Sequence, residues 1–467
     1  MKKTRKKFEL PHIYAILFLF STLAAISTYF IPAGQYTRVP GPDGRTTIDP
    51  NSYTLIEQTP VGIGDFLTVI PRGLISAGEV VFFTFIIGGM FVVLRRTGII
   101  EIAVEKLARK FSKNNIILIP TLTVVFAVIA TLIGTPELSL VYIPVILPLM
   151  IALGFDSIVA AAIALVGTVV GFTAGVLNPI NTGLAQKISG IPVFSGAGYR
   201  TIIFMISVSV GVFFIMRYAR KIKNDPTQSF VYEDDIEKRK LYLGNDNNSG
   251  ITKMSKRQVY ASYAILLFFG ILVYGVLNLG WFMVEMAGLF IFMGITVGFI
   301  AGLNTKEICE GFTQGFRDVL MGAIIVGLAR AVAVVLEDGH ILDTLVHSLG
   351  SVVDGFPAVL SAVGMYVAQL LINFVIPSGS GQALVTMPIM APLADIIGVT
   401  RQTAVLAFQL GDGFAHILFP TSGYFMAALA IAGVAWQKWV KFFLPLFFVW
   451  SGIAVVSLIV AQLINWS

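Results

Sequence analysis

Charge and cysteine are both scarce in this sequence. Only 12% of its 467 residues are Asp, Glu, Lys or Arg, whereas 56% are hydrophobic and the mean hydropathy is +0.85. This balance excludes an ordinary soluble domain and predicts an all-α polytopic membrane protein. Apolar runs of about twenty residues without two-residue alternation favour helices over a barrel. The single cysteine, Cys309, excludes an internal disulfide and a cysteine-rich metal site, and no cofactor or bound metal is expected.

The positive charge of the chain is grouped rather than spread. The net charge is +6, but Lys and Arg concentrate in short clusters such as residues 1–7, Arg95 with Arg96, and residues 220–256. Such clusters are typical of topology signals at the cytoplasmic face. They predict a cytoplasmic N-terminus and, after about nine crossings, a C-terminus outside. The expected partners are therefore the lipid bilayer and a small molecule, and not a nucleic acid.

The N-terminal segment is expected to stay on the protein. Residues 1–7 resemble the basic start of a signal peptide, but the apolar run 12–31 is long and ends without a small-residue cleavage site. It is interpreted as an uncleaved first span. The Gly-Pro-Asp-Gly-Arg loop at 41–45 is expected outside. Segment 99–113, with charges at helical spacing, is expected to lie on the inner face of the membrane.

A polar stretch interrupts the apolar pattern at residues 377–382, Pro-Ser-Gly-Ser-Gly-Gln. These six residues are predicted to be unable to continue a helix. The apolar arm after them, residues 383–397, would span roughly 22 Å as a helix, against roughly 30 Å of hydrocarbon. The pattern predicts a re-entrant hairpin with a polar tip near the membrane centre. Such a tip is tolerated where it lines a site or is buried in protein, and the first interpretation predicts a ligand contact.

The first half of the chain repeats this pattern. Gly-Thr-Pro-Glu at 134–137 precedes a short apolar arm, and an offset of 244 residues gives eight identities in fewer than thirty positions. The identical pairs are Leu140 and Leu384, Val141 and Val385, Pro144 and Pro388, Pro148 and Pro392, Leu149 and Leu393, Gly154 and Gly398, Ala160 and Ala404, and Gly167 and Gly411. We interpret these identities as an internal duplication, and the crossing count predicts that the two copies are inverted.

The predicted organisation is two halves and a linker. The first half covers 1–218, a cytoplasmic linker covers 219–258, and the second half covers 259–467. The hairpins are predicted at about 115–153 and about 356–397. Each is followed by an interrupted helix, at 157–190 with a break at 178–183, and at 402–434 with a break at 419–423.

The two tips and the two helix breaks are predicted to converge, because inverted repeats place them near the membrane midplane. Open helix ends present N–H groups to anions and carbonyls to cations. The substrate-binding candidates are Thr135, Pro136, Glu137, Asn178, Asn181, Thr182, Ser378, Gly379, Ser380, Gly381, Gln382, Asp412, Thr421, Ser422 and Gly423. The alternative role for polar residues in such helices is interhelical contact.

Ionisable residues at membrane depth are costly, so each is a candidate functional residue. Glu137 and Asp412 lie in or beside the breaks and are predicted to bind a cationic group or to carry coupling protons. His416 lies one turn beyond Asp412 and is a candidate proton relay, with a packed neutral histidine as the alternative. Arg330 and Glu285 are expected to pair with an acid and to lie in the headgroup region, respectively.

Three groups of motifs carry a resemblance that spans nearly the whole chain. They are Tyr-Phe-Ile-Pro-Ala-Gly at 29–34, residues 377–382 with Met-Pro-Ile-Met-Ala-Pro-Leu at 387–393, and Gly-Asp-Gly-Phe at 411–414 with Pro-Thr-Ser-Gly at 420–423. The chain resembles the YfcC-type family, which is filed with the anaerobic C4-dicarboxylate carriers and is related to aminobenzoyl-glutamate transporters in the ion transporter superfamily. The resemblance implies a homodimeric secondary transporter of the bacterial cell membrane that works as an elevator. The superfamily's carboxylate carriers bear Ser-Asn-Thr at their tips, and these tips do not, which argues against Na⁺ coordination of that type.

Three functions follow as hypotheses. Because the first tip is acidic and some YfcC-like members resemble arginine–ornithine exchangers, the first is exchange of a cationic or zwitterionic amino acid, arginine against ornithine. The second is Na⁺- or H⁺-coupled transport of a C4-dicarboxylate or other organic anion, with Arg330 and the helix ends as the anion site. The third is an intramembrane serine hydrolase using Ser380, His416 and Asp412, although Ser380 lacks the usual nucleophile elbow.

Overall fold

The computed structural model describes residues 12–40, 46–100, 102–103, 106, 115–243, 254–353 and 357–466. The predictions for the N-terminal basic cluster, the loop at 41–45 and most of the helix at 99–113 lie outside these residues. The described chain is mainly helical. Its α-helices are α1 Ile13–Ser27, α2 Ile63–Ser76, α3 Gly78–Arg96, α4 Leu118–Ile133, α5 Ser139–Ala152, α6 Ser157–Ala174, α7 Leu184–Ile188, α8 Ala197–Asn224, α9 Asp235–Leu243, α10 Lys256–Leu279, α11 Met283–Ala301, α12 Thr305–Asp338, α13 Leu342–Val353, α14 Ala358–Val375, α15 Gly379–Ile396, α16 Arg401–Ala415, α17 Gly423–Ala432 and α18 Trp436–Leu463.

Short strands occur in the segment between α1 and α2. Strand β1, Gly34–Gln35, pairs antiparallel with β4, Thr54–Leu55. Strand β2, Arg38–Pro40, pairs antiparallel with β3, Thr46–Ile48. These small ladders order a polar connection without changing the fold class.

The predicted all-α polytopic membrane fold is confirmed. Within the described residues, nine helices are long and apolar enough to cross a membrane. The number agrees with the prediction, but the set differs. It includes the upstream hairpin arms, Asn115–Ile133 and Ala358–Val375, while Ile13–Ser27 is among the shorter apolar helices. The inverted relation of the two halves, the domain boundaries and the membrane depth of the hairpins remain predictions.

The helices pack as two groups. In the first, α12 lies against α1, α2 and α3, and α11 lies between α3 and α10. The second comprises α4–α8 and α14–α18 around α6, every residue of which is buried. Small residues allow this, because a Cβ on Gly171 would lie 2.1 Å from the Ala127 carbonyl oxygen of α4. The groups meet mainly where α17 packs on α12 and α3.

The second hairpin tip is shorter than predicted. Only residues 376–378 interrupt the helices, and Gly379 to Gln382 form the first turn of α15. The Ser378 hydroxyl accepts a hydrogen bond from the Gly381 N–H at 3.3 Å and so caps this helix. The prediction of a six-residue break is wrong because these residues can begin a helix even though they would interrupt one. The N–H groups of a first turn have no acceptor within the helix in any case. The downstream arm has 18 residues rather than about fifteen.

The chain leaves regular helix at the first tip and within both segments predicted as interrupted helices. Helix α4 ends at Ile133 and is capped by Gly134, which has a φ of 80°, and a 3-10 turn, Pro136–Leu138, leads into α5. Helix α6 ends at Ala174, and a π turn, Pro179–Gly183, joins it to α7. The second interrupted helix breaks after Ala415, earlier than predicted. The succession of hairpin and interrupted helix is thus the same in α4–α7 and α14–α17.

Candidate functional site

Asp412 is the centre of a buried polar cluster. It lies in the last turn of α16 and is fully buried. Its carboxylate accepts hydrogen bonds from Asn181 Nδ2 at 2.9 Å and from Asn373 Nδ2 at 2.8 Å. The Nε2 atom of His416 lies 2.9 Å from Asp412 Oδ1. The acid therefore joins the π turn after α6, the upstream arm α14 and the second helix break.

The second hairpin tip rests directly on this carboxylate. A Cβ on Gly379 would lie 3.0 Å from Asp412 Oδ2 and 2.7 Å from Phe172 Cζ, so glycine allows the close approach. Gln382 accepts a hydrogen bond from Asn373 Nδ2 at 3.2 Å and donates to the Gln369 carbonyl oxygen at 2.8 Å. The first turn of α15 is thereby fixed against the cluster.

The first tip approaches from the opposite arm. A Cβ on Gly134 would lie 2.2 Å from Asn178 Oδ1, which accepts hydrogen bonds from the Ile180 and Asn181 N–H groups and so caps the π turn. Glu137 is partly exposed and lies in the 3-10 turn that packs on α6. Both predicted acids therefore lie on elements that pack against α6.

Several buried polar atoms of this region have no hydrogen-bond partner among the described residues. Burying such an atom unpaired costs on the order of 1–3 kcal/mol. They are Thr135 Oγ1, Asn181 Oδ1, Gln369 Nε2, Asn373 Oδ1, His416 Nδ1, Thr421 Oγ1, Ser422 Oγ and Tyr424 OH. Most of these atoms are oxygens that can accept hydrogen bonds, and together with two carboxyl groups they suit a cationic, polar ligand.

The other predicted site residues divide into two sets. Thr182 lies beside the cluster, where its hydroxyl donates to the Gly175 carbonyl oxygen at 2.8 Å. Ser378 is exposed and caps α15, and Gly381 packs on it. Ser380 is partly buried, Pro136 is buried in the 3-10 turn, and Gly423 faces Val326 of α12. These last five residues are not drawn into the hydrogen bonds around Asp412.

Two further residues named from the sequence lie away from the cluster. Arg330 donates to Ser76 Oγ at 3.0 Å and to Glu337 Oε1 at 3.1 Å, which confirms the expected ion pair and removes Arg330 from an anion site at Asp412. Glu285 accepts the Phe282 N–H at the start of α11.

The three residues of the hydrolase hypothesis are not joined into a triad. His416 hydrogen-bonds to Asp412, and no hydrogen bond joins it to Ser380 in the described part of the chain.

Sequence reasoning missed several polar residues in and around the cluster. Gln369 and Asn373 lie one turn apart in the apolar helix α14, where an amide every fourth residue was an available signal. Tyr424 follows the second break directly. Arg200 was missed because the predicted span began one residue after it, although it is fully buried. Its partners Gln402 and Gln409 lie on α16.

Comparisons with known proteins agree on a family. A family model described as "C4-dicarboxylate anaerobic carrier" matches residues 10–463. The "Putative basic amino acid antiporter YfcC" of Escherichia coli (strain K12) is 30% identical over 514 residues, covering 99% of this chain and 98% of that protein. An "Uncharacterized protein" of Haemophilus influenzae (strain ATCC 51907 / DSM 11121 / KW20 / Rd) is 30% identical over 486 residues, covering 95% of each chain.

Two solved structures are more distant. The YdaH transporter of Alcanivorax borkumensis matches with a TM-score of 0.41 and 14% identity, covering 98% of this chain and 99% of that one. MtrF of Neisseria gonorrhoeae, described with a class of antimetabolite efflux pumps, matches with a TM-score of 0.39 and 15% identity, covering 97% and 95%.

Proposed function

The chain belongs to the C4-dicarboxylate anaerobic carrier family, and we propose that within this family of membrane transporters it exchanges basic amino acids, arginine against ornithine. Membership in a family of carriers excludes the serine hydrolase hypothesis. The full-length relative named as a basic amino acid antiporter supports the choice of cargo. The chemistry around Asp412 supports it independently.

The observation that carries the proposal is a surplus of acid at the site. Asp412 is fully buried, and within the described residues His416 is the one ionisable side chain that hydrogen-bonds to it. Glu137, in the 3-10 turn that packs on α6, adds a second carboxyl group, whereas one histidine supplies at most one positive charge. A buried charge requires a partner, and a guanidinium or ammonium group would provide it.

The α-carboxylate of the cargo requires a different partner. The first turn of α15, at Gly379 and Ser380, presents backbone N–H groups at a helix N-terminus beside Asp412. Such a terminus favours an anionic group. We place the α-carboxylate there and the side-chain cation between Asp412 and Glu137, where the amide oxygens of Asn181 and Asn373 can accept its hydrogen bonds.

The remaining parts of the proposal concern the whole transporter. We propose a homodimer with the N-terminus in the cytoplasm and the C-terminus outside, in which the helices around α6 move as an elevator against the group around α12. The division of the helices into two packed groups is consistent with this motion. Where exchange is coupled to an ion, Glu137, Asp412 and His416 are the proposed proton carriers.

Transport of a C4-dicarboxylate with Na⁺ or H⁺ is the second candidate, and the description of the family favours it. The two proposals differ in the charge that the site must accept. A dianion beside Asp412 and Glu137 would be repelled, and Arg330 already pairs with Glu337. Protonation of both acids would be required before such an anion could bind.

Counterflow in proteoliposomes distinguishes the two candidates. The protein is reconstituted into vesicles preloaded with arginine, ornithine, succinate or a short-chain fatty acid, and uptake of the labelled compound is measured against protein-free vesicles. We expect exchange of arginine and ornithine because the acid surplus accepts one positive charge. If succinate exchanges and arginine does not, the proposal is wrong.

A further inference from the structure

Arg200 is a buried cation that the proposed transport site does not use. It lies in the first turn of α8 and is fully buried. Within the described residues no carboxylate lies at ion-pair distance from it. Its guanidinium Cζ lies 4.8 Å from the centre of the Trp466 ring. Burying a charge without a counter-charge is costly, so its hydrogen bonds must compensate.

All the hydrogen-bond partners of Arg200 are neutral oxygens. Its Nε donates to Gln409 Oε1 at 2.8 Å, one terminal nitrogen donates to the Ser195 carbonyl oxygen at 2.6 Å, and the other donates to Gln402 Oε1 at 3.0 Å. Gln402 and Gln409 both lie on α16, the helix that carries Asp412. Arg200 therefore holds one face of that helix.

These contacts impose a direction on the network. Arginine has donors and no acceptor, so the amide of Gln409 must turn its oxygen to Arg200 and its nitrogen away. Gln409 Nε2 then donates to the Thr182 hydroxyl, and that hydroxyl donates to the Gly175 carbonyl oxygen at 2.8 Å. Each member gives a hydrogen bond to the next, from α8 through α16 to the end of α6.

Gly175 is the end point because the helix opens there. It has a φ of 54°, and a Cβ at this position would lie 2.1 Å from Thr182 Oγ1 and 2.2 Å from Gln409 Nε2. Its carbonyl is one of those that a helix C-terminus leaves without an internal donor. Thr182 belongs to the same π turn as Asn181, which hydrogen-bonds to Asp412. The network thus links the π turn to the helix that bears the acid.

We propose that Arg200 is a positioning residue of the transport site: through Gln409 and Thr182 it fixes the π turn, and so Asn181, relative to Asp412. This inference rests on the proposed function, because it assumes that Asp412 binds the cargo. It also assigns the Gly175 carbonyl a structural role. The cationic group of the cargo is then left with Asp412, Glu137 and the side-chain oxygens of Asn181 and Asn373.

The hydrogen bond from Gln409 to Thr182 can be removed without changing the size of the side chain. Gln409→Glu gives Arg200 a carboxylate partner but removes the N–H that Thr182 accepts. Losing one buried hydrogen bond is worth about tenfold in an equilibrium constant. We expect the KM for counterflow to rise by about this factor, with no fall in the midpoint of thermal unfolding. If Gln409 only stabilised the fold, its substitution would lower the midpoint of thermal unfolding and would not raise KM selectively.

Substitutions of Thr182 provide the matched pair. Thr182→Val removes the hydroxyl and should raise KM like Gln409→Glu, whereas Thr182→Ser keeps the hydroxyl and should retain the wild-type KM. The comparison uses whichever preloaded compound the wild-type protein exchanges, so a wrong choice of cargo does not affect it. A wild-type KM in both Gln409→Glu and Thr182→Val would overturn the role of Arg200.

A readout without transport keeps the inference testable if none of the compounds exchanges. Hydrogen–deuterium exchange is measured on the wild-type protein and on Thr182→Val, in detergent. We expect faster exchange of the backbone amides of the π turn at residues 180–183, because Pro179 has no N–H, and unchanged exchange along α8. Equal exchange of the π turn in the two proteins would overturn the inference.

Discussion

Asp412 is the single residue whose charge matters most to the site. Asp412→Asn keeps the size of the side chain but removes the charge and turns an N–H toward Asn373 or Asn181, which are both donors to it. Breaking a buried charge pair costs about 3 kcal/mol or more, so exchange should fall at least about a hundredfold. Glu137→Gln should weaken exchange less, because Glu137 is partly exposed.

The control for these substitutions is another acid changed to its amide. Glu310→Gln alters an exposed carboxylate whose ion pairs measure 3.7 and 3.9 Å, and surface pairs of this kind contribute little. Initial rates of counterflow, normalised to reconstituted protein, provide the measurement. Wild-type exchange by Asp412→Asn would contradict the assignment of the cargo to this carboxylate.

Individual site residues were predictable from the sequence to different degrees. Asp412, Glu137 and Asn181 were found because a charge or an amide beside a helix break is unusual in an apolar chain. Asn373 was not, because no break marks its position inside α14. Its contact with Asp412 depends on which helix faces meet, as does the pairing of Asn181 and Asp412 across 231 positions. A single sequence records polarity but not these faces.

Among the helices, α15 depends on a connection outside the helical groups. Pro388 has no N–H, so it leaves the Leu384 carbonyl oxygen without its helical donor. The hydroxyl of Thr47, on β3, donates to that oxygen at 2.8 Å. The strand segment thereby replaces a hydrogen bond that the proline removes. The repeated proline was visible in the sequence, but its partner was not, because Thr47 lies 337 positions away.

This replacement predicts a dependence between two substitutions. Thr47→Val should lower the free energy of unfolding by about 1 kcal/mol, the net worth of one hydrogen bond. In the Pro388→Ala background the helix supplies its own N–H, so the same substitution should cost little, as a double-mutant cycle would show. Thermal unfolding in detergent measures both. Thr46→Val, at an exposed neighbouring position, is the control.

One outcome of the double-mutant cycle would contradict this role of Thr47. If Thr47→Val costs the same free energy of unfolding with and without Pro388, then Thr47 acts through some other contact.

The boundaries of α15 also depend on geometry that the sequence does not show. The start of α15 at Gly379 was not predicted because proline, glycine and serine occur throughout residues 377–382. Only the geometry of the Ser378 cap shows where the break ends.

In the molecule as a whole, the segment predicted as the linker contacts helices that lie before it and after it in the sequence. Asp235, at the start of α9, is fully buried and accepts hydrogen bonds from the Ser157 N–H and hydroxyl, each at 2.7 Å. Lys238 lies 2.7 Å from Asp235 Oδ1 and donates to the Gly433 carbonyl oxygen at 2.9 Å. Ser157 begins α6, and Gly433 caps the end of α17. The linker remains a prediction from its charge, and the sequence gives no sign that Asp235 within it is buried.

Asp235 should therefore contribute far more stability than its neighbour in sequence. Asp235→Asn removes a buried carboxylate that holds Ser157 and Lys238, and it should lower the free energy of unfolding by about 3 kcal/mol. Asp234→Asn is the matched control, because Asp234 forms an exposed pair with Lys438 at 2.8 Å that is worth at most about 1 kcal/mol. Thermal unfolding of both variants in detergent provides the measurement. Equal midpoints would mean that the buried contacts of Asp235 do not stabilise the packing of this segment on α6.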